Sequence, residues 1–290
     1  MIYLKYEIIS NYSRDDKLRH LFNELSVDTF GLDFENWYQS GYWNEKYIPY
    51  SVLADEKIIS NVSVNIIDCT VNGKQRHYIQ LGTIMTDENY RNQGFSRILM
   101  EKIISDYSDR DGIFLYANDS VVDFYPKFGF RKADEFRFRS SVNTDLPAGV
   151  KMIPMNTAED FNAFINAKRS LVSRSPVITD TDDLMMFYLT QFMQESVYKL
   201  NDRNCYVIAE KDDDLLTEYD ILSDKPIDPS EICLLFGNEI KKVEFAFIPE
   251  NNCSLEKYQY TEEDTTFFVL GDTLIDDLPE ILSFPALVHA

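Results

Sequence analysis

The chain has 290 residues, of which 44% are hydrophobic and 14% aromatic. This composition excludes a disordered chain, and the length favours two domains with an ample core. A net charge of -21 opposes nonspecific nucleic-acid binding, because cationic side chains supply most of the affinity for phosphate backbones. The same charge would attract a cationic partner or serve solubility alone.

The sequence predicts a cytoplasmic protein that binds neither a membrane nor a metal. No apolar run approaches the roughly 20 residues of a membrane span, and the N-terminus lacks signal-peptide architecture. The four cysteines are far apart and, with three histidines, form no metal-site spacing. We therefore expect reduced, partly buried thiols.

The first elements predicted along the chain are a helix and an aromatic stretch. Residues 13–25 carry apolar side chains at helical spacing behind a candidate cap at Ser13. Residues 27–48 then interleave aromatic and acidic side chains, among them Glu35, Trp37, Tyr38, Trp43 and Glu45. Packing against a sheet is the more common role for such an aromatic face.

A meander of three strands follows. Residues 50–54 and 58–67 flank a short turn, and the strict alternation of Val and Ile with Asn and Ser predicts a half-buried antiparallel hairpin. Asn72-Gly73 signals a second tight turn before a strand over residues 78–85.

The centre of the sequence is a strand that meets a helix. Residues 80–86 predict the strand, and the apolar spacing after Gly94 predicts a helix to Tyr107. The junction at residues 91–96 exposes the first N–H groups of the helix, where a phosphate can bind. A strand over residues 113–116 then completes a strand-helix-strand unit, which implies a parallel pair.

The next segment, residues 118–130, has the sequence NDSVVDFYPKFGF. Asp119 or Ser120 can cap a short helix, which Pro126 and Gly129 should end. A strand is expected over residues 130–138.

Two motifs resemble those of the GNAT N-acetyltransferases. Arg91-x-x-Gly94-x-Ser96 resembles the pyrophosphate loop Gln/Arg-x-x-Gly-x-Gly/Ala, with Ser96 in place of the last small residue. Residues 118–130 resemble the second signature, Asn-x-x-Ala-x-x-Phe/Leu-Tyr-x-Lys-x-Gly-Phe. The resemblance covers the first half of the chain and is strongest over residues 50–138. It implies an α/β (α+β) GNAT fold, with a mixed central sheet of splayed parallel strands flanked by helices.

The resemblance also implies acetyl-CoA as co-substrate and a set of residues that would bind it. Backbone groups of Ile84, Met85 and Thr86 would pair with pantetheine. The residues implied at the pyrophosphate are Arg91, Asn92, Gln93, Gly94, Phe95, Ser96 and Arg97. Asn118 would bond the cofactor and Lys127 would reach phosphate, whereas the alternatives are a helix-start residue and a solvated charge.

Acetyl transfer to an amine needs a proton donor for the departing thiolate and a neutral amine. Tyr125 matches the family position beside the sulfur, with a core tyrosine as the alternative. Some family members carry a glutamate where this chain has Gln80, so the base stays open between a water chain to Asp68, Glu35 or Glu45 and an acceptor that arrives neutral. The family's acceptor wall would include Trp37, Tyr38, Trp43 and Glu35.

The second half of the chain predicts a smaller α/β lobe after a connection over residues 142–155. Helices are expected over residues 158–171 and 182–200, a hairpin over 205–222, a helix over 229–236, and strands over 242–248 and 266–270. This order echoes the first half and suggests a degenerate GNAT-like repeat. We therefore divide the chain into a catalytic domain, 1–142, and a C-terminal domain, 150–290.

The second lobe should not bind acetyl-CoA, because no glycine lies between Gly149 and Gly237 and no loop of the Arg/Gln-x-x-Gly type follows a strand. It could close the acceptor groove, form a homodimer contact or only stabilise the first lobe. The terminal residues 287–290 could bring a carboxylate to a site, although a frayed tail is the default.

The leading functional hypothesis is an acetyl-CoA-dependent N-acetyltransferase. It would act through a direct ternary complex on a small-molecule or peptide amine, and a cationic one would suit the acidic chain. The alternative is a non-catalytic acyl-CoA sensor or scaffold, which Gln80 favours and Tyr125 opposes. An unrelated phosphate-binding protein would require the Gly-Lys-Ser/Thr of a P-loop, which the junction lacks.

Overall fold

A computed structural model describes residues 4–71, 73–250, 252–277 and 284–289, and within them the strands form two mixed eight-stranded sheets. Asn72 of the predicted turn and Ala290 of the predicted C-terminal segment lie outside the described residues. The first half contributes β1 (Tyr6–Ser10), α1 (Asp16–Phe30), α2 (Glu35–Gln39), β2 (Tyr47–Ala54), β3 (Lys57–Val71), β4 (Lys74–Thr86), α3 (Phe95–Asp106), β5 (Gly112–Ala117), β6 (Arg131–Lys132) and β7 (Glu135–Ser141).

The second half adds shorter elements after a connection that lacks helices and strands over residues 142–149. They are β8 (Val150–Ile153), α4 (Ala158–Lys168), β9 (Val172–Ser173), β10 (Val177–Thr179), α5 (Asp182–Gln191), β11 (Val197–Leu200), β12 (Cys205–Asp212), β13 (Leu215–Ser223), α6 (Pro229–Ile232), β14 (Lys242–Phe245), β15 (Glu256–Tyr260), β16 (Thr266–Leu270) and α7 (Asp272–Asp277).

The first sheet has the strand order β1-β2-β3-β4-β5-β16-β6, and β10 pairs with β3. The meander of β2, β3 and β4 is antiparallel, whereas β4 and β5 are parallel, as predicted from the strand-helix-strand unit. This parallel pairing spans only Tyr78–Leu81 of β4 and Gly112–Leu115 of β5. The two strands therefore part toward their C-terminal ends, where α3 begins.

The second sheet has the order β15-β7-β14-β13-β12-β11-β8 and repeats the pattern of the first. Its parallel pair is β13 with β14. Each parallel pair is followed by an antiparallel strand and then by an edge strand, so the chain has the tandem GNAT-like arrangement that the sequence predicted.

The two sheets exchange one strand each. β7, from the first half, lies beside β14 in the second sheet, whereas β16, from the second half, lies beside β5 in the first. The division into 1–142 and 150–290 stays a prediction, but neither sheet is built from one side of it alone. The strand predicted over residues 130–138 is in fact β6 and β7, in different sheets.

Three other local predictions are wrong. Helix α1 begins at Asp16, because Asp15 rather than Ser13 caps it by accepting a hydrogen bond from Leu18 N at 3.1 Å. The helix expected over residues 182–200 ends at Gln191, and its last part is strand β11. The short helix expected after Asn118 is two 3-10 turns, Asp119–Val121 and Tyr125–Phe128.

The hairpin of β2 and β3 is buried on both faces, not on one. Its alternating polar residues Asn61, Ser63 and Asn65 are as inaccessible as the valines between them. The valine face packs on α3 and the other face on α1, and β10 from the second half pairs edge to edge with the end of β3 at residues 69–71. No helix in the described part of the chain is long and apolar enough to cross a bilayer.

In the second sheet, another strand fills the position that corresponds to the opening between β4 and β5. Beyond its parallel pairing, β13 also pairs with β9, with Leu222 opposite Ser173, and Arg174 N donates to Ile221 O at 2.9 Å.

Strand β13 also carries a buried carboxyl group. Glu218 is fully buried, and no group in the described residues bonds its carboxyl oxygens. Burial raises the pKa of Glu218 well above its ordinary value, so the folded protein keeps this proton to a higher pH than the unfolded chain does.

We expect Glu218→Gln to stabilise the protein at neutral pH. In the unfolded chain this Glu loses its proton near its ordinary pKa of about 4.3. Above that pH the unfolded state binds fewer protons than the folded state, so the unfolding free energy of the wild type falls by up to about 1.4 kcal/mol per pH unit. The fall ends at the raised pKa of the folded state. Chemical denaturation between pH 4 and pH 8 should show that the unfolding free energy of the variant increasingly exceeds that of the wild type as pH rises. The exposed Glu239→Gln is the control, and parallel curves for wild type and Glu218→Gln would contradict the assignment.

Candidate active site

A cavity of about 800 Å³ occupies the opening between β4 and β5. Gly82–Thr86 of β4 form one wall, and Tyr116 with Asn118 forms the other. The start of α3 closes one end, and side chains of α1, α2 and α5 cover the opposite face. The volume falls within the range of about 300–1,000 Å³ that is usual for small-molecule sites.

A β-bulge in β4 turns the backbone toward this cavity. The register with β3 shifts between Asn61 and Ser63, and Thr83 adopts a left-handed φ of 48°, which is unusual for a β-branched residue. The bulge takes the Thr83 carbonyl out of the ladder, but the side-chain amide of Asn61 donates to it at 2.9 Å. Tyr47 Oη bonds Thr83 Oγ1 at 2.8 Å, so the strained conformation is held from both sides.

The N-terminus of α3 offers bare N–H groups to the cavity. Gly94 precedes the helix with φ 88° and supplies no side-chain cap. The first helical bond runs from Ile98 N to Gly94 O, which leaves the N–H groups of Phe95, Ser96 and Arg97 without helical partners. These groups and the helix dipole favour an anion at this end.

Side chains fix the same junction to β4. Ser96 Oγ bonds Thr86 Oγ1 at 2.8 Å, and Arg91 Nε donates to Thr86 O at 3.2 Å. The hydroxyl at position 96 therefore has a structural use that Gly or Ala would not provide. Arg97 and Lys127 add positive charge at the same end of the cavity.

Most of the predicted cofactor residues lie together in the lining. These are Ile84, Met85, Thr86, Arg91, Asn92, Gly94, Phe95, Ser96, Arg97, Asn118 and Lys127. Gln93 lies outside it, because its side chain turns back and donates to Asn89 O at 3.2 Å. The binding role of each residue stays a prediction.

Asn118 is held by the second half of the chain. Its Nδ2 donates to Asp264 Oδ2 at 2.9 Å, and Asp119 N donates to Asp264 Oδ1 at 2.8 Å. These two bonds keep the pKa of Asp264 below its ordinary value. The turn that ends β5 is thus anchored by a residue just ahead of β16.

Tyr125, the predicted acid, lines the cavity from the start of a 3-10 turn. Its ring packs between Phe130 and Phe268, with centroid distances of 6.2 and 5.4 Å. Burial raises the pKa of Tyr125 to about 12, so the phenol is protonated at neutral pH. No described residue bonds its hydroxyl, which leaves the proton available to a ligand.

Of the predicted acceptor residues, Trp37 lies in the cavity lining. Tyr38, Trp43 and Glu35 do not: Trp43 donates to Tyr47 O at 3.2 Å within an aromatic core, and Glu35 pairs with Arg19, which also lies 3.6 Å from the Tyr38 ring centroid. The ion pair with Arg19 lowers the pKa of Glu35 below its ordinary value.

Gln80 is fully buried opposite Asn65 and outside the cavity lining. It therefore does not occupy the place of a base beside a ligand. Asp68 bonds His77 at 2.6 Å on the surface, and Glu45 is exposed beside Arg14.

The sequence analysis missed four lining residues that matter chemically. Tyr47 was counted only as part of the aromatic stretch over residues 27–48, Thr83 and Tyr116 were treated as ordinary strand residues, and Phe187 belongs to a helix predicted in the second lobe. Phe187 stacks on Phe34 with a centroid distance of 5.1 Å, and Leu184 lies beside it in the lining. The tandem arrangement was the only signal that the second half could reach this cavity.

Comparisons with known proteins agree with this architecture. Residues 19–133 match the model of the acetyltransferase (GNAT) domain family. A conserved Enterococcus faecalis protein described as a probable N-acyltransferase is similar in structure, with a TM-score of 0.59 and 13% identity, covering 95% of this chain and 74% of that one.

Two GCN5-related N-acetyltransferases are similar as well. The Kribbella flavida protein has a TM-score of 0.56 and 13% identity, covering 92% of this chain and 71% of its own. For the Anabaena variabilis protein the TM-score is 0.54 at 13% identity, covering 91% and 72%. At identities this low, the structural similarity shows a shared fold and no more, and this fold extends over both halves of the chain.

Gly94→Trp should abolish acetyl-CoA binding, because an indole at the start of α3 would occupy the space of a phosphate. Gly41→Trp is a matched control: Gly41 also has a positive φ, 80°, and like Gly94 has no neighbouring atom within 4 Å of an added Cβ. Both variants therefore carry a similar backbone strain, but only one alters the cavity. Calorimetry should show acetyl-CoA binding to Gly41→Trp alone; equal binding by both variants would contradict the phosphate assignment.

Proposed function

We propose that this chain, whose residues 19–133 match the model of the acetyltransferase (GNAT) domain family, transfers an acetyl group from acetyl-CoA to an amine by a direct ternary complex. The observation that carries the proposal is one cavity that joins the bare N-terminus of α3 to Tyr125. An anion site and a buried proton donor in a single cleft are what a CoA thioester requires at its two ends.

Acetyl-CoA would bind with its pyrophosphate on the N–H groups of Phe95, Ser96 and Arg97. The unpaired edge of β4 over Thr83–Thr86 would bond pantetheine, which brings the thioester toward Tyr125. The acceptor nitrogen attacks the thioester carbonyl carbon and forms a tetrahedral intermediate. As this intermediate collapses, the C–S bond breaks and the Tyr125 hydroxyl gives its proton to the thiolate. The nitrogen of the amide product loses its extra proton, which returns to Tyr125.

The acceptor is an amine on an apolar body. Away from Arg91, Arg97 and Lys127 the lining is mostly apolar. Besides Thr29, it consists of Phe30, Leu32, Phe34, Trp37, Tyr47, Leu184 and Phe187. No Asp or Glu among the described residues lines the cavity. The acidic surface can attract a cationic amine, but specificity inside the cleft comes from apolar contact.

The direct test is CoA release from acetyl-CoA by the purified protein with a panel of amines. Phenethylamine, tryptamine and an aromatic dipeptide should support release better than spermidine or an aminoglycoside. Preference for the polyamines would contradict the apolar acceptor. Calorimetric binding of acetyl-CoA without release from any amine would support the sensor alternative, and absence of binding would refute the cofactor site.

Tyr125→Phe should lower kcat by roughly 10²–10⁴, the usual contribution of a positioned general acid, and leave acetyl-CoA affinity within a few-fold. The packing on Phe130 and Phe268 would persist, since only the hydroxyl is removed. Steady-state CoA release and calorimetry measure the two effects. Tyr198→Phe, a half-buried tyrosine of the second sheet, is the control, and equal kcat for wild type and Tyr125→Phe would exclude the acid role.

A further inference from the structure

Tyr116 connects the cavity to a buried carboxyl group. It belongs to β5, where Leu115 and Ala117 face the core around α3 and Tyr116 faces the opposite side, toward the second sheet. Its side chain lines the cavity, and its Oη donates to Glu135 Oε1 at 3.1 Å. Glu135 opens the exchanged strand β7 and is only 9% exposed.

The surroundings of this pair determine which group can hold a proton. The charged and titratable neighbours, from every element packed on the pair, are Arg137 of β7, Tyr260 of β15, Glu262 in the loop after it, Tyr188 of α5 and His289 near the C-terminus. Burial raises the pKa of Glu135 to about 7, and the Tyr116 hydrogen bond and Arg137 limit the rise.

The neighbours are poorer proton acceptors. Burial lowers the pKa of His289 to about 3, so its ring is neutral where it stacks on Tyr116, with centroids 3.8 Å apart. Burial and Glu135 raise the pKa of Tyr116 well above its ordinary value, so its phenol passes a proton on and does not remain ionised. Glu135 is therefore the group that changes charge near neutral pH.

We propose that Glu135 is the proton acceptor for the incoming amine and acts on it through Tyr116. This rests on the proposed acetyl transfer. An N–H bond of the acceptor ammonium breaks as its proton moves to Tyr116 Oη, and the Tyr116 O–H bond breaks as that proton moves to Glu135 Oε1. The neutral amine then attacks the thioester, and after product release the proton returns through Tyr116 to water in the cavity.

Other carboxylates near the cavity are less suitable. Asp264 contacts it through the amide of Asn118, which is not a proton carrier at neutral pH, and its pKa lies below the ordinary value. Glu101 contacts it through Arg97, which stays protonated. Among the described residues, Glu135 is the carboxyl group that accepts a hydrogen bond from a hydroxyl of the cavity lining.

The test is the pH dependence of CoA release with phenethylamine, which is protonated at neutral pH. Glu135→Gln should lower kcat by roughly 10²–10⁴ and remove the loss of kcat that wild type shows as pH falls through about 7. Tyr116→Phe should do the same, because it keeps the ring on His289 and Phe267 but breaks the relay. Glu262→Gln, an equal charge change nearby without a bond to Tyr116, should keep the loss of kcat at low pH but move it to lower pH, because the charge of Glu262 helps to raise the pKa of Glu135.

A neutral acceptor separates the relay from a structural role. Benzohydrazide is uncharged at pH 7 and needs no deprotonation before attack, so Glu135→Gln should lose much less activity with it than with phenethylamine. Equal losses with both acceptors, or a wild-type profile in Glu135→Gln, would overturn the relay. If Glu135→Gln fails to fold, Tyr116→Phe decides by the same comparison.

Failure of the transferase proposal has a different outcome. In that case wild type releases no CoA with either acceptor, and the relay is overturned together with the function. Release by wild type that is indifferent to both substitutions refutes the relay alone.

Discussion

The parting of β4 and β5 after Leu81 and Leu115 is the constraint on which the site depends. Close to this parting β4 also bulges away from β3 on its other edge: Thr83 is left-handed, and buried Asn61 of β3 donates to the carbonyl that the bulge frees. One residue of the hairpin's polar face thus has a clear structural role: Asn61 bonds the bulge and also donates to Ser63. Helix α3 begins at the open end between β4 and β5. The parting of the two strands therefore places the anion site next to the wall that β4 forms.

The second half of the chain completes this opening while it closes its own. β9 pairs with Leu222 and Ser223 of β13, in the stretch that corresponds to the open edge of β4, and so occupies that part of the edge. Meanwhile Asp264 fixes the turn at Asn118, Phe268 supports Tyr125, and Phe187 covers the apolar face of the cavity. A degenerate repeat has become a structural part of the other repeat's site.

Sequence patterns predicted what local chemistry determines. The hairpins, the parallel pair and the start of α3 follow from periodicity, turn residues and one glycine, and the two motifs placed most cofactor candidates in one cavity. Long-range pairing was not predictable: Phe130 to Ser141 has no local feature that sends β7 to a distant sheet. Alternation of polar and apolar residues also does not reveal that the polar face of a hairpin is covered, so the burial of this face was missed. The hydrogen bond of Tyr116 with Glu135 was missed because it joins two different sheets.

The exchanged strands also affect how the protein is made. During synthesis β5 emerges more than 140 residues before β16, so one edge of the first sheet stays unpaired while the intervening residues are made. Exposed strand edges are prone to pair with other chains. The nascent protein therefore passes through a long stage in which the first sheet has an unpaired edge, and chaperone capacity would affect its yield in cells.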